Sequence, residues 1–278
     1  MTDEIAKTLL QIAHSLERLA PPPAPEADPE SGSAFRWDGH RLHAVPQLNA
    51  LPLERFAGVD SQIAALRQNV AALANGLPSH DMLLWGSRGM GKSALVRAVA
   101  AAEGVALVEA AGDALSTLPA LFGRLSACRR PFLLYVDDLA FTAADPQVRI
   151  LRSLLDGGVA ERPANVRLAV TSNHRHLVER SHEDSRHGRD SADDQLALVD
   201  RFGLILGFHV PDQATWLEMV RRHLDAEGLA LDEAEAIAFA LARGGRSGRT
   251  AWHYRTELLT RRASPSGRKT RAQRQDAG

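Results

Sequence analysis

One cysteine, Cys128, stands in a chain of 278 residues. Neither an internal disulfide framework nor a cysteine-built zinc site is therefore open to it, and its place after Leu125 on an apolar helical pattern predicts a buried thiol. An excess of charge of either sign is also missing. The chain carries 33 Lys and Arg against 34 Asp and Glu, a net charge of −1, so no global field argues for a nucleic acid or a membrane surface. No apolar run approaches the roughly 18 residues that span a bilayer. The opening Met1-Thr2-Asp3-Glu4 has neither the basic region nor the apolar core of a signal peptide, and the expectation is a cytoplasmic protein. What the chain does have is 45% hydrophobic residues, enough for a sizeable core. Its length suits one large domain with an appendage, or two domains.

The most informative stretch is Gly86-Ser87-Arg88-Gly89-Met90-Gly91-Lys92-Ser93, a complete G-x-x-x-x-G-K-[ST] phosphate loop. The apolar run Met82-Leu83-Leu84-Trp85 precedes it and the helix-forming Ala94-Leu95-Val96-Arg97-Ala98-Val99 follows, so the motif falls between a strand and a helix. Glycines at 86, 89 and 91 allow the backbone to curl and aim successive N–H groups at phosphate oxygens. The helix starting near Ala94 adds the positive end of its dipole. Lys92 is expected on the β- and γ-phosphates and the Ser93 hydroxyl on Mg²⁺. The pattern implies a nucleoside triphosphate, and does not choose between ATP and GTP.

Around this motif the chain divides into segments. Ile5, Leu9, Ile12, Leu16 and Leu19 follow a 4-3-4-3 spacing that predicts an amphipathic helix over 1–20, packed on its own domain or on a partner. Residues 21–34 open on Pro21-Pro22-Pro23-Ala24-Pro25 and read as an extended, then disordered, linker. Phe35 to Leu53 shows no period and reads as an irregular strap. Asp60 is placed to cap a helix carrying Ile63, Leu66, Val70 and Leu73. Strands are expected at Met82–Trp85, Val105–Glu109, Phe132–Val136, Val166–Thr171 and Leu204–Val210. Continuous apolar strands alternating with helical patterns predict a five-stranded parallel sheet covered on both faces, a three-layer α/β fold over 35–211. Three helical patterns fill 212–261, and 262–278 is a basic tail.

Two further strand ends are polar. Phe132-Leu133-Leu134-Tyr135-Val136 runs into Asp137-Asp138, and a buried strand must deliver such carboxylates to a cavity or to water. Beside a phosphate loop, Asp137 is placed to hold Mg²⁺ and Asp138 to orient or deprotonate the attacking water. Val170-Thr171-Ser172-Asn173 ends in an amide able to position water, although alone it is ordinary turn chemistry. His174, His176, His182 and His187 with Glu183 and Asp184 match no standard metal spacing. The tail, with Arg261, Arg262, Arg268, Lys269, Arg271 and Arg274, lacks interleaved aromatics and reads as solvated rather than as a nucleic-acid grip.

Taken in order, the phosphate loop, Asp137-Asp138, Thr171-Ser172-Asn173 and Asp200-Arg201-Phe202-Gly203 resemble the AAA+ ATPases. With Leu155-Asp156-Gly157-Gly158 added, the chain is most similar to a bacterial branch known as domain of unknown function 815, over roughly Phe35 to Leu259. That resemblance implies ATP with Mg²⁺, a helical lid over 212–261, and a homo-oligomer whose interfaces pass through the nucleotide sites. It implies that Asn173 senses the γ-phosphate and that Arg201 reaches a neighbouring subunit's site; an intrachain ion pair is the other reading of Arg201. Arg249, with Arg246 as the alternative, matches the second sensor. Phe56-Ala57-Gly58-Val59 is similar to the segment that wraps adenine, which adds Phe56, Gly58 and Val59 to the expected contacts.

The chain departs from the superfamily in having Asp138 where most members carry Glu. Aspartate is one methylene shorter, and general-base catalysis contributes roughly 10²–10⁴ in rate, so a misplaced carboxylate costs much of the turnover. The expected function is a Mg²⁺-dependent ATPase driving conformational change in a protein client or assembly. A nucleotide-gated switch with negligible hydrolysis and a DNA-directed loader or helper are the alternatives.

Overall fold

The computed structural model describes residues 2–19, 26–139, 146–157, 163–173 and 197–263. Seven strands form one sheet: β1 (Ala34–Trp37), β2 (Leu42–Ala44), β3 (Met82–Gly86), β4 (Ala106–Ala110), β5 (Phe132–Val136), β6 (Val166–Ser172) and β7 (Leu204–Phe208). Their order is β2-β1-β4-β5-β6-β3-β7. The β4-β5-β6-β3-β7 block is parallel throughout and contains the five expected strands. The other two come from the segment read as an irregular strap. There β1 pairs parallel with β4, while β2 turns back antiparallel on β1. With four and three residues, these strands are too short to reveal a period.

Strand alternation divides the core into two layers. Leu83, Trp85, Phe132, Leu134 and Val136 face one side, joined by Leu115, Leu121 and Phe122 of the Gly112–Thr117 3₁₀ turn and helix α4 (Leu118–Leu125) and by Leu151 of α5 (Pro146–Leu155). Met82, Leu84, Leu133 and Tyr135 face the other, under α2 (Asp60–Ala74) and α3 (Lys92–Ala102). Every residue of β3 and β5 is buried. Each buried Leu or Phe side chain contributes about 1.5–3 kcal/mol, so the central strands cannot slide by one residue without reversing both layers.

Helices α6 (Gln213–Asp225), α7 (Glu233–Ala242) and α8 (Gly248–Ala263) match the three C-terminal helical patterns. They add Trp216, Val220, Leu224, Ala236, Ala240, Ala251 and Tyr254 to the second layer. Asp212 and Asp232 cap α6 and α7 by accepting the Thr215 and Glu235 N–H groups; each such cap is worth about 1 kcal/mol.

Several local expectations are corrected. Asp60 is the first residue of α2 rather than its cap, which is Val59 without a side-chain bond. Cys128 lies partly exposed in the turn after α4, not on a helical face. Of the supposed linker, residues 21–25 lie outside the described residues, but 26–33 are pinned. The Ala27 N–H donates to Leu42 O at 2.8 Å, the Arg129 N–H to Glu30 at 2.8 Å, and Arg130 to Gly32 O at 2.8 Å. Helix α1 (Thr2–Leu19) forms, with Ile5, Leu9 and Ile12 exposed. No helix among the described residues is long and apolar enough to cross a membrane.

Candidate functional site

Three strand ends and three helices converge on a cleft of about 580 Å³, within the usual range for small-molecule sites. The turn from β3 into α3 forms its floor. Gly86 has φ 127°, and a Cβ there would lie 2.1 Å from the Phe208 carbonyl oxygen of β7. Only glycine permits that approach, which the Ser87 N–H to Phe208 O bond (3.0 Å) secures. Gly91 then caps α3 in the left-handed region. Of the expected loop residues, Arg88, Gly89, Met90, Gly91, Lys92, Ser93 and Ala94 line the cleft, while Gly86 and Ser87 stand behind it.

Lys92 is 5% exposed. Its ammonium donates to Gly86 O at 2.9 Å, Ser87 O at 3.0 Å and Asn173 Oδ1 at 2.8 Å. Burial holds its pKa below the ordinary lysine value, against the opposing pull of Asp138 and Asp137.

The end of β5 supplies the carboxylates. Asp137 Oδ1 accepts from Ser93 Oγ at 2.8 Å and from Thr171 Oγ1 at 2.5 Å. Burial alone would raise the Asp137 pKa. Hydrogen bonding by Thr171, the close Tyr135 hydroxyl and Ser93 outweighs it and holds the carboxyl below its usual range. The Tyr135 hydroxyl is itself buried close to Asp137. Asp138 adopts φ 54°, the sole left-handed non-glycine among the described residues. That conformation costs about 1 kcal/mol, and it turns the carboxylate toward Asn173 Nδ2, which donates to it, and toward Arg88, 3.3 Å away. The Asp138 N–H donates to Thr171 Oγ1 at 2.9 Å.

Thr171, 1% exposed, therefore orients both carboxylates: it donates to one and accepts from the backbone of the other. Sequence reasoning saw it only as turn chemistry. Its signal was a hydroxyl at the end of an apolar strand, in register with Leu84 of β3.

Above the floor, Phe56, Ala57 and Val59 line the cleft together with Leu51 and Arg55. Gly58 does not. It backs onto α6, where a Cβ would fall 2.2 Å from Thr215 Cγ2. Arg249 lines the cleft and its N–H donates to Gly89 O at 3.0 Å, whereas Arg246 is not among the lining residues. Arg201 is brought elsewhere. Its guanidinium donates to Asp156, just past the end of α5, and to Ala197 O. The His174–His187 cluster with Glu183 and Asp184, and the tail beyond Ala263, lie outside the described residues.

Arg97, Met219, His223 and Trp252 also line the cleft without having been anticipated. His223 could have been found: Trp216, Val220 and Leu224 make the apolar stripe of α6, and a histidine occupies a buried position of that stripe.

Comparison with solved structures finds a similar fold in the RuvB Holliday junction branch migration motor of Thermotoga maritima. Identity is 19%, the TM-score 0.52, and the match covers 77% of this chain and 66% of that one. Two single-substitution variants of that RuvB match at 18% and 20% identity, each with a TM-score of 0.53 over the same shares. The chain thus spans just under two thirds of the length of these structures, and at this identity the likeness shows a shared fold. A search of curated proteins finds no match to the sequence. The model of one family matches residues 30–262, which takes in the sheet, the cleft and all three C-terminal helices, and the chain belongs to that family, described as Protein of unknown function (DUF815).

Proposed function

We propose that the chain binds ATP with Mg²⁺ in this cleft and is a Mg²⁺-dependent ATPase whose nucleotide cycle changes the conformation of a partner or assembly. One observation carries the reading: a buried lysine and a hydroxyl–carboxylate pair, Ser93 and Asp137, meet at the N-terminus of α3. Backbone N–H groups and a lysine suit phosphate. A serine hydroxyl beside a carboxylate is a hard-oxygen donor set that suits Mg²⁺, which takes its other ligands from phosphate and water. When bound, the ion would neutralise charge on the phosphate oxygens.

The chain's own groups divide the rest of the work. On ATP entry Lys92 would exchange the Gly86 and Ser87 carbonyls for phosphate oxygens. Asn173, which now bridges Lys92 and Asp138, would face the γ-phosphate, and Asp138 would take up the attacking water's proton. Arg249 would contact phosphate from α8, residues 212–261 acting as a lid. Arg201, absent from its own cleft, would serve the site of a second subunit in a homo-oligomer. The switch with negligible hydrolysis has one observation in its favour: the Asp138 carboxylate is already engaged by Arg88 and Asn173. A DNA-directed role would draw on the basic tail and on the RuvB likeness.

The test is ATP binding and turnover per subunit over a wide protein concentration range with Mg²⁺. Tight ATP binding, lost in Lys92→Ala, with specific activity rising with concentration and falling about 10²-fold or more in Asp138→Asn, is the expected result. Binding without turnover at any concentration identifies the switch. Wild-type protein that binds neither ATP nor GTP ends the nucleotide reading.

A further inference from the structure

The motif that builds the phosphate loop leaves position 88 open, and this chain fills it with arginine. Of the three non-glycine residues between Gly86 and Gly91, Ser87 stands behind the cleft and Met90 packs into the second core layer. Arg88 alone of the three brings a polar side chain into the cleft, where its guanidinium lies 3.3 Å from Asp138 Oδ2.

The contacts continue as a row. The other Asp138 oxygen accepts from Asn173 Nδ2, and Asn173 Oδ1 accepts from the Lys92 ammonium. One carboxylate and one amide thus lie between two cations, and the charge of Arg88 is close enough to Lys92 to oppose its protonation. Two cations beside the N-terminus of α3 form an anion clamp, and the Asp138 carboxylate occupies it.

That occupancy is weak. The Arg88 and Asp138 side chains are 71% and 49% exposed, and an ion pair between groups so solvated is worth at most about 1 kcal/mol. A terminal phosphate carries more charge and matches the planar guanidinium with two parallel hydrogen bonds, so it displaces the carboxylate. Neither of the other arginines expected in the chemistry stands in this place. Arg201 is held by Asp156, and Arg249 enters from α8, with its amide on Gly89 O.

Resting on the nucleotide reading above, we infer that Arg88 binds the γ-phosphate of the nucleotide in its own chain's cleft and lets go of Asp138 as it does so. The exchange frees the Asp138 carboxylate when the phosphate it serves is in place. The contact that favours a switch without hydrolysis is then the resting half of a two-position arginine.

The experiment measures Mg²⁺-dependent binding of a nucleoside diphosphate and of the matching β,γ-imido triphosphate, with adenine or guanine as wild type prefers. The proteins are the full chain, Arg88→Ala, Arg88→Lys, Asp138→Asn and the double variant Arg88→Ala with Asp138→Asn. Hydrogen bonding to a charged group corresponds to roughly a 10- to 100-fold change in affinity. The expected result is that Arg88→Ala weakens the triphosphate by that factor and leaves the diphosphate unchanged, with Arg88→Lys between it and wild type. The same loss should separate Asp138→Asn from the double variant. An equal loss for the diphosphate would mean that Arg88 merely shapes the loop, and a loss that vanishes in the Asp138→Asn background would mean that it merely screens that carboxylate. Either result overturns the inference, as does an unchanged triphosphate affinity in Arg88→Ala. Wild-type protein that binds neither nucleotide with either base overturns the nucleotide reading itself.

Discussion

At the residue scale, one hydroxyl organises the acidic corner. Thr171 holds Asp137 by donation and the Asp138 backbone by acceptance, and valine in its place would keep the volume while removing both bonds. Losing such a supporting partner typically costs about 10- to 100-fold in metal affinity or activity. Thr171→Val should therefore raise the Mg²⁺ concentration required for ATP binding by about that factor and Thr171→Ser should restore it; equal Mg²⁺ requirements in wild type and Thr171→Val would show that the corner is rigid without it. His223 makes a prediction of a different kind. Its folded pKa of about 4 lies below the 6.5 of an exposed imidazole, so between these values the unfolded chain binds the extra proton and stability falls as pH falls. From pH 7.5 to 5 the wild type should lose about 2 kcal/mol more than His223→Leu, read as the pH dependence of denaturant midpoints. Parallel curves for the two proteins would place the ring in water. The phosphate loop was legible because a contiguous pattern encodes it. Thr171 and His223 were not, because their surroundings depend on residues distant in sequence, Asp137 and Asp138 at 34 and 33 positions from Thr171 and Trp252 across the 223–252 span from His223.

Among elements, legibility followed length and burial. The strands of the parallel core were readable because both faces are covered and apolar residues run without interruption, as in Phe132–Val136. The β1–β2 hairpin was not: Phe35 and Trp37 are buried but Arg36 between them is exposed, and three or four residues cannot establish a period. Residues 26–33 read as disordered from composition alone, yet they are fixed by a backbone bond to β2 and by side-chain–backbone bonds to the Arg129–Arg130 turn, which composition does not show. Helix α1 is the opposite case. Its spacing was plain, and the structure leaves Ile5, Leu9, Leu10 and Ile12 between 51% and 62% exposed, outside both core layers. A chain starting at Glu26 should accordingly melt within about 1 °C of the full chain at low protein concentration, since surface changes away from packed features fall within about ±0.5 kcal/mol. A drop of several degrees by calorimetry would show that α1 packs on the rest.

For the whole molecule, the decisive question is whether one chain completes its own site. The cleft assembles Lys92, Ser93, Asp137, Asp138, Asn173 and Arg249 from elements of both core layers, but Arg201 is spent on Asp156. If Arg201 serves a neighbour, its guanidinium must first leave that pair, and turnover acquires the concentration dependence that the proposed assay reads. The sheet order and the backbone joints show how such an event would spread. Gly86 touches Phe208, the last residue of the strand that leads into α6, and the carbonyl of Gly89 holds the Arg249 amide at the start of α8. The phosphate loop is thus riveted at two points, by main chain alone, to the strand that enters α6 and to the first turn of α8. Phe208 and Arg249 can change their side chains without cutting these joints, whereas any side chain at Gly86 would strike the Phe208 carbonyl, so the joint that ties the loop to the helices is written in the one residue type that has nothing to exchange.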